Sequence, residues 1–405
     1  MNNLNRCALV TVALATPLLV SCNDDSLLPP DPVDEIFSRY AAMGNSITAG
    51  FQSGGINDST QLESYAVILA QAMGLETGRD FTYPSLAMPG CPPPLVNIFT
   101  QESIDTIPVT GCAFRGELPR QLNNVAVPGA YVIDILSNVD GASNPNPLTS
   151  LFLGGRTQVE AVGLIGPTFV SVFIGNNDVL GAVLDTTNPG EAGLITRFRD
   201  FRESYDSIMT VLDSMPTLQG GVLIGVVQVT FAPYASSGAA YWAASQTIAN
   251  LTVDNNCLDR REVPGKTDSA TVLIPFHYGA PIMAAAEAGT PQTIDCSVDA
   301  VISADEAAFM VLIVDAYNNL IEEHATSREW AYVDPNVILE GLLQDPAKIR
   351  PFPAYNPADP QHVVAPFGTA VSRDGIHPNE GTHRLLANAL VIAINAAYGT
   401  NLSEQ

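Results

Sequence analysis

Basic residues are scarce in this chain. Its 405 residues hold 17 Lys and Arg against 42 Asp and Glu, a formal net charge of −25. A field of that sign repels phosphate backbones and anionic headgroups, which argues against nucleic-acid binding. The acidity is scattered and forms no block, so a solvated acidic surface accounts for it better than a specific acidic patch. Charged residues of both signs make up only 15% of the chain and hydrophobic residues 46%. That balance argues against long disorder and leaves ample material for one large α/β domain or two smaller ones. Internal repeats and low-complexity tracts are absent. Cysteines number only six. No two of those beyond Cys22 are close in sequence and no histidine sits at ligand spacing from them, so a zinc site is the weaker reading of them.

The first 21 residues read as a targeting segment. Arg6 supplies the positive start, and the apolar run over residues 8–20 is too short to span a bilayer comfortably. The segment ends Leu19-Val20-Ser21-Cys22, which resembles the lipobox of bacterial lipoproteins. The resemblance implies cleavage before Cys22, several acyl chains on that cysteine, and anchoring in the bacterial cell envelope, at the periplasmic face or the outer membrane. An ordinary signal peptide with a chance cysteine is the alternative. Residues 22–35 follow as an acidic tether bearing Pro29, Pro30 and Pro32, and the folded domain is expected over residues 36–405.

Within that domain strands alternate with helices. Residues 38–43, 124–127, 168–174, 222–229 and 330–333 have strand character, the third as a near-continuous β-prone run. Thr60 with Glu63, and Ser303 with Glu306, fit capping boxes at helix starts. Helical spacing continues to Met73 after the first and to about residue 323 after the second. A shorter helix is expected from Tyr131, and others over residues 198–212 and 381–397. The alternation predicts a parallel sheet covered by helices on both faces. Two stretches break the pattern: residues 79–120, rich in proline, and residues 232–300, rich in Ala, Gly and Ser, both read as irregular insertions. Export to an oxidising compartment makes Cys91–Cys112 and Cys257–Cys296 the pairing favoured by sequence proximity, one of three that four cysteines allow.

Four short motifs carry the chemistry. Gly44-Asn45-Ser46-Ile47 follows the first strand. Asn124-Val125-Ala126-Val127-Pro128-Gly129, Gly175-Asn176-Asn177-Asp178 and Asp374-Gly375-Ile376-His377 come later, in that order. Taken singly, each has a plain reading: a turn at Ser46 or Gly129, a helix cap at Asn177 and Asp178, a surface loop at His377. Together, each placed beside its expected element, they resemble the four blocks of the SGNH (GDSL) hydrolase superfamily. The resemblance implies a flavodoxin-like α/β/α sandwich with a mostly parallel five-stranded sheet, here carrying two large insertions. It also implies Ser46 as nucleophile, His377 as base, Asp374 as its supporting carboxylate, and an oxyanion hole from the Ser46 and Gly129 amides and the Asn177 side chain.

The chemistry is coherent without the family. A serine hydroxyl attacks poorly until a base takes its proton, and a histidine oriented by a carboxylate does so near neutral pH. Asp374 and His377 share one turn and are delivered together. No metal or organic cofactor is needed. The other histidines, His277, His324, His362 and His383, stand outside any motif. The chain departs from the family at Asn45, where Asp is usual, at Ile47, where Leu is usual, and at Asn176, where Gly is common. The Gly-x-Ser-x-Gly elbow of α/β hydrolases is missing around Ser46. The expectation is a lipid-anchored esterase or lipase acting on an ester of a lipid or an acylated carbohydrate. A carbohydrate O-acetyl esterase and a non-catalytic surface binding lipoprotein are the alternatives.

Overall fold

Strand β1 (Tyr40–Gly44) is buried at every residue, as are β2 (Phe169–Phe173) and β3 (Gly220–Ile224); β4 (Ala331–Val333) is shorter. In the computed structural model they form one parallel sheet in the order β1-β2-β3-β4. The model describes residues 34–105, 112–137, 146–354 and 359–405. The targeting segment, Cys22 and the tether as far as residue 33 lie outside the described residues.

The two-residue alternation of the strands explains the layering. Ala41, Met43, Val170, Val172 and Leu223 face one side, where they meet α5 (Phe198–Asp213) and α6 (Ala304–Ser327). Tyr40, Ala42, Phe169, Phe173, Val222 and Ile224 face the other, where they meet α2 (Tyr65–Ala72) and α8 (Glu380–Tyr398). The shorter helices α1 (Ser46–Ala49), α3 (Gln158–Ile165), α4 (Asn177–Leu184) and α7 (Pro335–Leu343) complete the arrangement. Strands buried on both faces read as unbroken apolar runs, which is why β1 and β2 were legible.

Several elements differ from the sequence expectation. Among the described residues the sheet has four strands. The segment from Asn124 lies beside β1, where the Ala42 N–H donates to the Asn123 carbonyl and the Val125 and Val127 N–H groups donate to the Ala42 and Gly44 carbonyls, and it forms one parallel bridge, Ala42 to Asn124, rather than a full strand. The Asn124 side chain accepts from the Ala126 amide and donates to the Thr48 carbonyl across the site edge. The helix expected after Thr60 is two helices. Asn57, not Thr60, caps the first (Asp58–Leu62), with Thr60 as the reciprocal partner, and Ser64 caps the second. The turn after Tyr131 is a 3-10 helix, Val132–Ile135. The Ser303–Glu306 capping box forms as read.

The stretch over residues 232–300 is not irregular. It contains helices Gly238–Ser245 and Phe276–Glu287 and short strand pairs around a separate apolar cluster that includes Tyr241, Ile274, Phe276 and Phe352. Alanine-rich segments without marked periodicity become helical once such a cluster gives them a face to bury. Cys257 is bonded to Cys296 and Cys91 to Cys112, which consumes the four thiols a zinc site would have needed. Among the described residues no helix is long and apolar enough to cross a membrane.

Candidate active site

The site lies at the C-terminal ends of β1 and β2, the edge where parallel sheets present their functional loops. Gly44 is the last residue of β1, and a Cβ there would collide with the Phe173 carbonyl at 2.5 Å. Only glycine lets the two strand ends approach so closely. Gln158 on α3 clamps this end from outside the sheet. Its side-chain carbonyl accepts the Gly44 N–H at 2.9 Å and its amide donates to the Gly44 carbonyl at 2.8 Å. Asn45 then caps α1 by accepting the Ile47 N–H. Asn and Asp serve about equally well at this capping position.

Ser46 is thereby fixed as the first residue of α1. Its Oγ lies 2.9 Å from His377 Nε2, and His377 Nδ1 lies 2.8 Å from Asp374 Oδ2. The three residues, up to 331 positions apart, form one continuous relay. They are 7%, 9% and 7% exposed for Ser46, His377 and Asp374, so the relay is sheltered but reachable. The Phe51 ring packs against the imidazole at a centroid distance of 4.9 Å.

Asp374 is held by more than its histidine. Oδ1 accepts from the Ser372 hydroxyl and from the Ile376 and His377 amides; Oδ2 accepts from the Gly54 amide as well as from His377 Nδ1. Burial alone would raise this carboxyl, but the charge of His377 and these bonds hold it at about 2. It is therefore ionised at neutral pH, and an ionised acceptor at Nδ1 leaves Nε2 free to receive the serine proton. Gly375 makes the tight turn possible: it has φ +74, and a Cβ there would press on the Phe367 ring at 2.9 Å.

The oxyanion candidates converge on the same edge. Val127 donates to the Gly44 carbonyl, so the chain runs beside β1 and carries Gly129 past its end, with φ +83. The Asn177 side-chain amide donates to the Ala130 carbonyl at 2.8 Å, which ties the two loops together and leaves its second hydrogen uncommitted. Among the described residues, neither the Ser46 nor the Gly129 N–H donates a hydrogen bond. Asp178, fully buried, accepts the Val132 amide at 2.9 Å. Burial pushes its carboxyl up to about 7. It is a positioning residue that fastens α4 to the loop after Gly129.

Four contributors were not found from the sequence: Gln158, Ser53, Gly54 and Ser372. Ser53, at φ 55, donates its N–H to Ser372 and accepts the Arg373 amide on its hydroxyl, so the turn after α1 is stitched to the Asp374 turn. None belongs to a motif, and only the fold brings positions 53 and 372 together. The remaining histidines lie outside the site. His383 is buried with Nδ1 accepting the Tyr65 amide, and burial, with the nearby His377 charge, pushes it down to about 3. His324 bonds Asp206, and His277 lies against the Tyr234 hydroxyl. Cys22 is among the residues not described.

No family model matches the chain, and no curated protein matches it. Among solved structures it is similar to Axe2, an acetylxylan esterase from Geobacillus stearothermophilus, at 15% identity and a TM-score of 0.36, over 88% of this chain and 96% of that one. It is also similar to LAE5, an alpha/beta hydrolase enzyme from the metagenome of Lake Arreo, Spain, at 16% identity and a TM-score of 0.37, over 89% of this chain and 96% of that one. Likenesses this distant leave the site to be read from its own geometry.

Proposed function

We infer that this chain is a serine esterase of the SGNH kind, cleaving carboxylic esters through an acyl-enzyme on Ser46. The observation that carries the reading is the unbroken relay from Ser46 through His377 to Asp374. Ser46 Oγ bonds to the ester carbonyl carbon while its proton passes to His377 Nε2. The carbonyl oxygen becomes an oxyanion facing the Ser46 and Gly129 amides and the free hydrogen of Asn177. As the intermediate collapses, the carbon–oxygen bond to the alcohol breaks and His377 returns the proton to the departing alkoxide. Water then attacks the acyl carbon, giving its proton to His377, which passes it to Ser46 Oγ as the acid is released. Asp374 keeps the Nδ1–H tautomer and stabilises the imidazolium in both halves. None of these steps requires a metal or an organic cofactor.

The lipobox-like ending at Cys22 supports an envelope lipoprotein held at a membrane surface by acyl chains. Replacing Cys22 with Ala should move the protein from the membrane to the soluble fraction; retention on the membrane would remove the anchor from the reading. The catalytic reading is tested by chromogenic ester hydrolysis with the soluble form beginning after Cys22. A Ser46→Ala variant should melt like the parent and lose turnover by about 10⁴-fold or more. A well-folded Ser46→Ala protein with full turnover would end it.

A further inference from the structure

The turn that follows α1 has two sets of partners. One is the Asp374 turn: the Gly54 N–H donates to Asp374 Oδ2 at 2.8 Å, and the Ser53 N–H to the Ser372 hydroxyl at 2.8 Å. The other is a strap, Cys91-Pro92-Pro93-Pro94-Leu95. Three consecutive prolines have no N–H to offer, so the strap's own amides can tie it only at its ends. Both ends are tied. The Cys91 N–H donates to the Ile56 carbonyl at 2.8 Å, and the Leu95 N–H to the Ser53 carbonyl at 2.7 Å. In return the Ile56 N–H donates to the Pro92 carbonyl at 2.9 Å. Gly55 lets the strap lie this close, because a Cβ there would collide with Pro94 N and the Pro92 carbonyl oxygen. Arg373 Nη1 donates to the Leu95 carbonyl at 3.4 Å, a further link from the strap to the Asp374 turn. The Cys91–Cys112 bridge fixes the strap covalently.

We propose that the strap and its disulfide are a positioning device for Asp374, through which Cys91, Cys112, Gly55 and Leu95 govern turnover by way of Gly54. The proposal rests on the serine-esterase reading above. Asp374 Oδ2 has two partners, the Gly54 N–H and His377 Nδ1. The Gly54 N–H therefore helps to set the rotation of the carboxylate, and with it the line along which Nδ1 is held. The turn closes on itself through reciprocal Gln52 and Gly55 hydrogen bonds, and its two adjacent glycines leave it free to swing as a unit. The strap's bonds to Ser53 and Ile56 bracket Gly54 and remove that freedom. The action is indirect: the strap holds the turn, and the turn holds Asp374. Released from the strap, the Gly54 N–H would drift from Oδ2, and a displacement of about 1 Å in a supporting group costs on the order of 10²-fold in rate.

The test is steady-state kinetics on one chromogenic ester with the soluble form beginning after Cys22, kcat being expressed per site titrated with a fluorophosphonate. Two variants release the strap by different routes. Cys91→Ser with Cys112→Ser removes the covalent bond. Gly55→Ala wedges a methyl group between turn and strap and leaves the bridge intact; Gly55 does not have a positive φ, so the added carbon acts by collision alone. Each should lower kcat per site by about 10–100-fold with KM within about twofold of the parent. A strap that only stabilised the fold would reduce the number of titrated sites and leave kcat per site unchanged. Cys257→Ala with Cys296→Ala, which removes the other bridge, is the control and should keep the parent's kcat per site. Unchanged kcat per site in either folded strap variant, or an equal loss in the control, would overturn the proposal while leaving the serine-esterase reading in place. If the cysteine double variant does not fold, Gly55→Ala decides alone. Absence of any Ser46-dependent turnover in the parent would instead remove the esterase reading, and this one with it.

Discussion

Asn177 has two amide hydrogens, of which the structure commits one. One bonds the Ala130 carbonyl, and in the proposed mechanism the other stabilises the developing oxyanion. Replacing Asn177 with Ala should therefore lower kcat by roughly 10²–10³-fold with little change in KM, since the lost bond matters most in the transition state. Steady-state kinetics on a single ester reads both numbers, and a variant that raised KM alone would assign Asn177 to ground-state binding. The motif residues themselves were legible because catalytic groups come in short runs beside strand ends. Ser46, Gly129, Asn177, Asp374 and His377 all arrive at one edge. What surrounds them was not legible. Gln158 grips Gly44 by two hydrogen bonds, and Ser372 joins Ser53 to Asp374. Glutamine and serine in those positions carry no local signal, because Gly44 lies 114 residues from Gln158 and Ser53 lies 319 residues from Ser372.

At the scale of elements, the start of α4 depends on a buried acid. Asp178 accepts from Val132, and burial raises its carboxyl from the usual 3.8 to about 7. An unfolded chain releases that proton near 3.8, whereas the folded protein keeps it until about 7. The folded state thus binds one more proton across this window, and stability falls as pH rises through it. Asp178→Asn mimics the protonated form and still offers a carbonyl to Val132. Thermal melts should give similar stability to the parent near pH 4 and an advantage on the order of 2–4 kcal/mol at pH 8. A parallel pH dependence in both proteins would show that Asp178 does not set the slope. Element types followed the apolar patterns well for the buried strands and for α5, α6 and α8. They failed where side chains compete with the backbone. Ser64 restarts a helix that periodicity alone would have continued, its hydroxyl accepting the Ala66 amide.

At the scale of the whole molecule, the parallel sheet carries the relay while the stretch over residues 232–300 adds a separate apolar cluster and a disulfide. The Cys257–Cys296 bridge closes a loop of 39 residues, and closing a loop of that length removes unfolded-state entropy worth roughly 3–4 kcal/mol. A Cys257→Ala, Cys296→Ala double variant should lose about that much in a denaturant melt; an unchanged midpoint would mean that the cluster around Tyr241 and Phe276 holds the stretch without it. This packing was invisible in the sequence because its helices are rich in alanine and lack a sharp apolar stripe, and its cluster draws Phe352 and Phe367 from far down the chain. The most direct test of the whole reading is labelling of the intact soluble protein with a fluorophosphonate, mapped by peptide mass. The expected result is one phosphonylated residue, Ser46, with labelling lost in Ser46→Ala and slowed by orders of magnitude in His377→Ala. A folded protein that stays unlabelled, or is labelled elsewhere while Ser46 is spared, would contradict a nucleophilic Ser46.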